Sequence, residues 1–261
     1  MVKEIAVKDT VRMIIVNFYL LIVGILLYPL ILVNQVLYRR KKGLFTRSLI
    51  TRILDKSPRI YEYSLLVWNF PIMKRIYRPI QINTADSILQ VGCGTGIFNK
   101  CFAEEKFEIT NLDINENYLD YGMKKKRFDA QKVMNESVYD INCEAESFDL
   151  ILFARCFHHI RHQKKALNEC SRVLKKEGII VIYDPVSTAI KSHPTQYTNT
   201  LYDGMIYNYH KDTFKSYIKN ICPNSLILEE LKYYKNFTVT NYNLKYPHVD
   251  AYVILKKFSE L

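Results

Sequence analysis

Glycine is scarce in this chain, with 8 among 261 residues, and no two cysteines have C-x-x-C spacing. The six cysteines, Cys93, Cys101, Cys143, Cys156, Cys170 and Cys222, are scattered. Such a distribution builds neither a zinc site nor a disulfide framework, so no metal is expected and a reducing, cytosol-facing compartment is. Tryptophan occurs once, at Trp68. Charge is missing altogether from the 26 residues between Arg12 and Arg39, "MIIVNFYLLIVGILLYPLILVNQVLY". As a helix rising about 1.5 Å per residue, that run would extend roughly 39 Å, more than a hydrocarbon core of about 30 Å requires. A buried core helix without a polar face does not suit a protein of this size. A cleaved signal peptide is excluded by the length of the run and the lack of a small-residue cleavage site.

The uncharged run therefore reads as a membrane anchor over residues 1–43. Pro29 would bend it, and Asn34 and Gln35 prefer an interface, which leaves a tilted span and a re-entrant anchor both open. "RRKK" at Arg39–Lys42, followed by Arg47 and Arg52, outweighs Lys3, Lys8 and Arg12, which Glu4 and Asp9 dilute. That bias predicts a membrane localisation with everything after residue 39 on the cytoplasmic side. Residues 44–84 read as amphipathic linker or lid helices. Leu49, Ile50, Ile53 and Leu54 recur at helical spacing with Arg47, Arg52 and Lys56 between them, which suits a lipid surface or packing on the next domain. Trp68 falls in this stretch, as an interfacial anchor or a lid over a ligand. A net charge of +11 calls for an anionic partner, and the basic clusters flanking an apolar run favour an anionic membrane surface over nucleic acid.

From residue 87 the pattern changes to alternation. "SILQV", "FEITNLDI", "FDLILFA" and "IIVIYDP" read as strands; "GIFNKCFAEE", "NENYLDYGMKKKRF" and "QKKALNECSRVLKKEG" read as helices. Strands alternating with helices at this spacing predict an α/β fold with a doubly wound parallel sheet. Ligands in such sheets sit beyond the carboxyl ends of the strands, where the strand order reverses. Three of the few glycines, Gly92, Gly94 and Gly96, fall at the end of the first strand. Glycine there admits positive φ and lets a ligand approach the backbone. A dinucleotide-binding turn needs glycine or alanine at the sixth position counted from Gly92, and that position is Ile97. Some twenty residues on, the second strand ends in Asp113, a carboxylate placed to accept hydrogen bonds from two ribose hydroxyls.

"LQVGCGTG", "NLDI", "SFDLILFARCFHHI" and "RVLKKEG" together resemble the class I S-adenosylmethionine-dependent methyltransferases, in particular the type 11 group, over about residues 85–185. The resemblance implies a methyltransferase domain over residues 85–261, a seven-stranded Rossmann-like sheet and S-adenosyl-L-methionine as cofactor. "SLILEELKYY" and "HVDAYVILKKF" resemble its closing antiparallel pair. By position, Gly92, Gly94 and Gly96 would line the methionine and ribose side, Asp113 would hold the ribose, and Ile114 would lie against the adenine. Phe153 and Ala154 would face the methyl-donor end. Where the family often has an acidic residue near the adenine, this chain has Ser137, with Glu136 beside it. The family's "KPGG" turn is here Lys175, Lys176, Glu177 and Gly178, which keeps only the last glycine.

Methyl transfer from a sulfonium is an in-line displacement, and a base is needed only when the acceptor loses a proton. His158 and His159 in "CFHHI" are the prominent candidates. His159 comes first because many relatives carry histidine at the second position, and Asp184 is the second candidate. Residues 186–215 lie where this fold usually builds its acceptor pocket. Tyr197, Tyr202, Tyr207, Tyr209 and His210 could wall it, Tyr202 and Tyr207 being the expected substrate residues. The expected function is methyl transfer to a small lipophilic or lipid-like acceptor at a membrane. A catalytically inactive membrane scaffold and an NAD-dependent oxidoreductase are the alternatives. The oxidoreductase lacks the sixth-position glycine and a Tyr-x-x-x-Lys in the expected place. A nucleic-acid methyltransferase lacks an Asn/Asp-Pro-Pro-Tyr/Phe stretch after the fourth strand.

Overall fold

The apolar runs that alternate along the second half of the chain become strands buried on both faces, as a parallel sheet requires. The computed structural model describes residues 11, 15, 18, 22, 54–62, 87–101, 108–186, 188, 209–235 and 249–258. Its strands are β1 (Ser87–Val91), β2 (Glu108–Leu112), β3 (Val133–Met134), β4 (Phe148–Ala154), β5 (Leu174–Val186), β6 (Leu226–Lys235) and β7 (Val249–Lys257). They form one seven-stranded sheet in the order β3-β2-β1-β4-β5-β7-β6. β1 pairs in parallel with β2 and with β4, and β4 pairs in parallel with β5. β7 runs antiparallel to both β5 and β6, so the expected closing pair is present.

Period-two alternation sorts the strand residues to two cores. Leu89, Val91, Ile151, Phe153, Ile180 and Ile182 point to one face. There they meet Ala166, Leu167 and Cys170 of α2 (Gln163–Val173) and Phe214 and Ile218 of α3 (Lys211–Ile221). Ile88, Leu150, Leu152, Val181 and Tyr183 point to the other face, against Ile97 and Phe98. The chain turns outward in both directions from β1 and β4, which places the reversal of strand order between them. Val91 and Phe153 stand side by side in register at that point.

Two local readings change. "GIFNKCFAEE" begins as a short 3-10 helix over Ile97–Cys101, and residues 102–107 lie outside those described. The helix expected to continue through "LKKEG" stops at Val173, and β5 begins at Leu174. The register with β4 jumps from Phe148↔Leu174 to Leu150↔Ile179, so residues between them bulge out. Glu177 takes φ 61° there. A Cβ on Gly178 would stand 2.9 Å from the carbonyl oxygens of Asp149 and Lys175, which leaves room only for glycine.

The membrane expectation is corrected. The anchor over residues 1–43 falls, apart from the exposed helical residues Val11, Ile15, Phe18 and Ile22, outside the described residues. Among the described residues no helix is long and apolar enough to cross a membrane. The membrane localisation with a cytoplasmic-side domain, which needs about 20 consecutive apolar helical residues, does not stand. Of the linker over residues 44–84, only 54–62 are described.

Candidate functional site

The site begins where β1 runs out. Gly92, Gly94 and Gly96 have φ of 62°, 57° and 69°, the left-handed region that side chains rarely enter. A Cβ on Gly92 would stand 2.8 Å from Cβ of Cys156 and 2.9 Å from its sulfur. At Gly96 any Cβ would overlap the ring of Phe128. The turn is thus lined by backbone because three helical or turn elements close on it.

Asp113, just past β2, fastens this turn to the neighbouring strand. One carboxylate oxygen accepts from the Gly94 N–H at 2.7 Å and the other from the Asn115 N–H at 2.8 Å. An ionised carboxylate has about four acceptor positions, so each oxygen keeps capacity for a further donor. Burial pushes the Asp113 carboxyl above its ordinary range. The Asn115 and Gly94 N–H groups oppose that rise, nearby Asp55 adds to it, and His159 counters it. Ile114, next in sequence, is 71 % exposed, an uncovered apolar face beside the carboxylate. Asn135, which the sequence did not single out, donates from Nδ2 to the Asp113 carbonyl at 3.0 Å. Ser137 lies in a tight turn with Asp140, and its hydroxyl accepts from the Tyr139 N–H at 3.3 Å. Glu136 accepts from the Asn142 N–H at 2.9 Å.

Residues 54–62 reach this turn from far away in sequence. The Tyr61 hydroxyl lies 3.2 Å from where a Gly94 Cβ would be, and its ring stacks on Tyr118 of α1 (Glu116–Lys124) at 4.4 Å and 16°. Asn115 donates from Nδ2 to the Asp55 carbonyl at 3.3 Å. Glu62 forms a nearly buried ion pair with Arg127, and Arg127 donates to the Thr95 carbonyl at 3.0 Å. The sequence offered only linker or lid helices lying on lipid or on the next domain; the contacts span some sixty residues and have no local pattern.

The carboxyl end of β4 forms the opposite wall. Phe153 and Ala154 are buried in the two cores, Phe153 packed edge-on against Phe157 at 5.3 Å, so backbone is what they offer the crevice. Cys156 donates from its thiol to the Val91 carbonyl at 3.0 Å, tying β4's exit to β1's end. Burial raises the thiols of Cys93 and Cys156 well above the ordinary range, and Asp113 adds to both, so neither is a ready thiolate. A short 3-10 turn, Phe157–His159, follows. Nδ1 of His158 lies 2.9 Å from Oδ1 of Asp184, with both side chains almost wholly buried. Asp184 sits within β5 opposite Ala251. The His158 and His159 rings touch, with centroids 4.0 Å apart at 46°, and His159 is the half-buried member of the pair.

The Phe157–His159 turn is anchored by Gln163, a buried side chain at the start of α2. Gln163 donates to the Phe157 carbonyl at 2.7 Å, and its own carbonyl accepts from the Tyr217 hydroxyl at 2.5 Å. Tyr209 also bonds Gln163 and packs on Phe214, which places it in the core and not in a pocket wall. His210 caps α3, its Nδ1 accepting from the Asp212 N–H at 3.3 Å. Both therefore leave the set of acceptor-wall candidates. Tyr197, Tyr202, Tyr207 and Trp68 lie outside the described residues.

The arrangement fits a nucleoside whose hydroxyls need acceptors and whose tail meets backbone. The turn is a cradle that a Cβ would disturb, and Asp113 presents oxygens to it. Thr95 Oγ, in the same turn, is buried without a hydrogen-bond partner among the described residues.

Residues 89–182 match the type 11 family described as a methyltransferase domain. An uncharacterized methyltransferase-like protein of Schizosaccharomyces pombe is 36% identical over 98 residues, 37% of either chain. A demethylmenaquinone methyltransferase of Thermotoga maritima is 23% identical over 179 residues, 66% of this chain and 73% of that one. Among solved structures, a phospholethanolamine N-methyltransferase 2 of Haemonchus contortus, in complex with phosphomonomethylethanolamine and S-adenosylhomocysteine, superposes with a TM-score of 0.61 at 16% identity. That superposition covers 84% of this chain and 61% of the other. The match to the fission yeast protein thus spans little more than a third of its length.

Proposed function

We propose that this chain, whose residues 89–182 are a methyltransferase domain of the class I, S-adenosylmethionine-dependent kind, binds that donor in the crevice between β1 and β4. In this reading it transfers the donor's methyl group to a small lipophilic acceptor, and the methyltransferase unit spans residues 85–261. One observation carries the reading: the left-handed glycine turn is fastened by Asp113, one of whose carboxylate oxygens accepts from the Gly94 N–H while the other accepts from the Asn115 N–H. The bound donor supplies an electrophilic methyl on sulfur. Everything else belongs to the chain. Asp113 accepts the ribose hydroxyls, Ile114 covers one face of the adenine, and the Gly92–Gly96 backbone meets the amino-acid tail. Ser137 stands by the adenine edge, and the backbone of Phe153 and Ala154 borders the methyl end. Tyr61, seated on the turn, excludes water and holds the tail in line, which is where most of the rate of a displacement originates.

A lipophilic acceptor is supported by the Thermotoga maritima relative, whose name gives demethylmenaquinone as its substrate. Tyr202 and Tyr207 are the proposed acceptor contacts. Calorimetric titration with S-adenosylmethionine tests the donor assignment. Asp113→Ala is expected to weaken binding at least tenfold, about 1.4 kcal/mol. Equal affinities in the two proteins would remove it. Incubating the full chain with labelled donor and a reduced short-chain demethylmenaquinone, with phosphoethanolamine as the polar control, tests the acceptor class. Label in the polar product alone would overturn it.

A further inference from the structure

The rim of the sheet far from the crevice carries a pattern of its own. In the strand order β6 comes last, and among the described residues β7 is its one strand neighbour. An edge of this kind is a template for another strand, and proteins usually blunt it with prolines, like charges or a cover. β6, "LILEELKYYK", is ten residues long and holds no proline. It presents Ile227, 50 % exposed, and the half-buried Leu228, Leu231, Tyr233 and Tyr234. Its charges have both signs, and Glu230 pairs with Lys232 along the strand. We infer that β6 pairs antiparallel with β6 of a second copy of this chain, joining the two sheets about a two-fold axis at Leu231.

Register decides the matter. Against β7 the count slips between Leu228 and Glu230, so Glu229 is an extra residue that bulges from the ladder. Leu228, Leu231 and Tyr233 therefore share the face that packs with α3, while Tyr234 packs on the opposite face. Alternation puts Ile227, Glu230 and Lys232 on that opposite face with Tyr234. Residues directly opposed in an antiparallel pair share a face, so a two-fold partner must match faces throughout. Centred on Leu231, with Glu229 left out of both ladders, every pair does. Leu231 meets Leu231, Leu228 meets Tyr233, and Ile227 meets Tyr234. Glu230 meets Lys232 on each side of the axis, so the two pairs within the strands close into a ring of four alternating charges. Centred on Lys232 instead, two ammonium groups would oppose each other, which is unfavourable.

The α3 side of the rim agrees. A groove of 490 Å³ runs between α3 and β6, floored by Leu228, Leu231 and Tyr233 and walled by Lys211, Lys215 and Lys219. Lys211 stands over the Tyr233 ring at 5.2 Å, and the Tyr233 hydroxyl donates to the Lys211 carbonyl at 3.1 Å. In this register the bulged Glu229 of the second copy arrives between Lys232 and Tyr233, beside Lys211. Each copy thus brings a carboxylate to the other's basic wall. The same patch serves both partners, so the contact closes at two copies. The axis is normal to the sheet, and the two β1–β4 crevices open at opposite rims, clear of the joint.

Sedimentation of the full chain, with a pair of charge variants, tests the inference. Wild type is expected to show twice the mass of one chain and to dissociate on dilution. A single-chain mass at about 100 μM would overturn it. Glu230→Lys sets base against base across the axis, and Lys232→Glu sets acid against acid, so each alone is expected to sediment as one chain. Mixed in equal amounts, the two variants regain both opposite-charge pairs, and the double mass should return. Variants that remain dimeric alone, or a mixture that remains monomeric, overturn the inference. Circular dichroism reads whether each variant is folded. Should one not fold, hydrogen exchange of wild type decides. The β6 amides are then expected to slow as concentration rises while those of β3, at the other end of the sheet, keep their rates. Unchanged β6 rates overturn the inference.

Discussion

A methyl group at position 92 has nowhere to go. Alanine there would carry a left-handed φ and meet Cys156 at under 3 Å. Gly92→Ala is expected to cost about 1–3 kcal/mol, read by urea unfolding, and Cys156→Ala in the same chain should return only part of it, because the φ strain remains. Asp113 makes a prediction in pH. Its folded carboxyl is raised by burial, and the donor needs the ionised form, so affinity should fall as pH falls through that raised value. The decline should begin above the ordinary carboxylate range near 4 and vanish in Asp113→Ala, as calorimetry across pH 7 to 5 will show. At this scale the sequence was generous with backbone and poor in partners. Gly92, Gly94 and Asp113 were legible because few residue types can do their tasks. That Asp184 faces His158 and not His159 was not legible, since adjacent residues in a 3-10 turn point in different directions and only the sheet says which meets β5.

Between elements, the informative contact is the one residues 54–62 make with the turn. Glu62 and Arg127 are paired with their side chains only about a tenth exposed, at 10% and 9%. Removing one partner leaves the other charge buried and alone, so Glu62→Gln is expected to destabilise by about 3 kcal/mol, and Glu62→Gln with Arg127→Met by less. A double-mutant cycle in urea measures the difference. The same single variant should speed donor dissociation severalfold in stopped flow, because Tyr61 is held against Gly94 by its neighbour. Nothing in the local pattern announced these contacts. Periodicity found the strands and α2, but it ran α2 on through Leu174–Gly178, because lysines and glutamate favour helix as readily as they occupy a bulge. Tyr209 misled for the opposite reason: an aromatic beside a predicted pocket was core, fixed by Gln163, a partner 46 residues away.

For the whole molecule, a doubly wound parallel sheet was readable because buried parallel strands demand continuous apolar runs and right-handed crossovers leave few alternatives, whereas the order β3-β2-β1-β4-β5-β7-β6 comes from the structure. The anchor was not: an uncharged run licenses a span by length alone, and the described helices do not supply one. Donor present at a hundredfold its dissociation constant should add about 2.7 kcal/mol to folding stability. A domain of this size would then melt about 5–10 °C higher, and Asp113→Ala should show no such rise in differential scanning calorimetry. Because the Asp113 carboxylate grips the backbone of Gly94 and Asn115, the residue proposed to hold the nucleoside is also part of the scaffold. Drift at this position would therefore be punished twice, in the integrity of the polypeptide and in its chemistry.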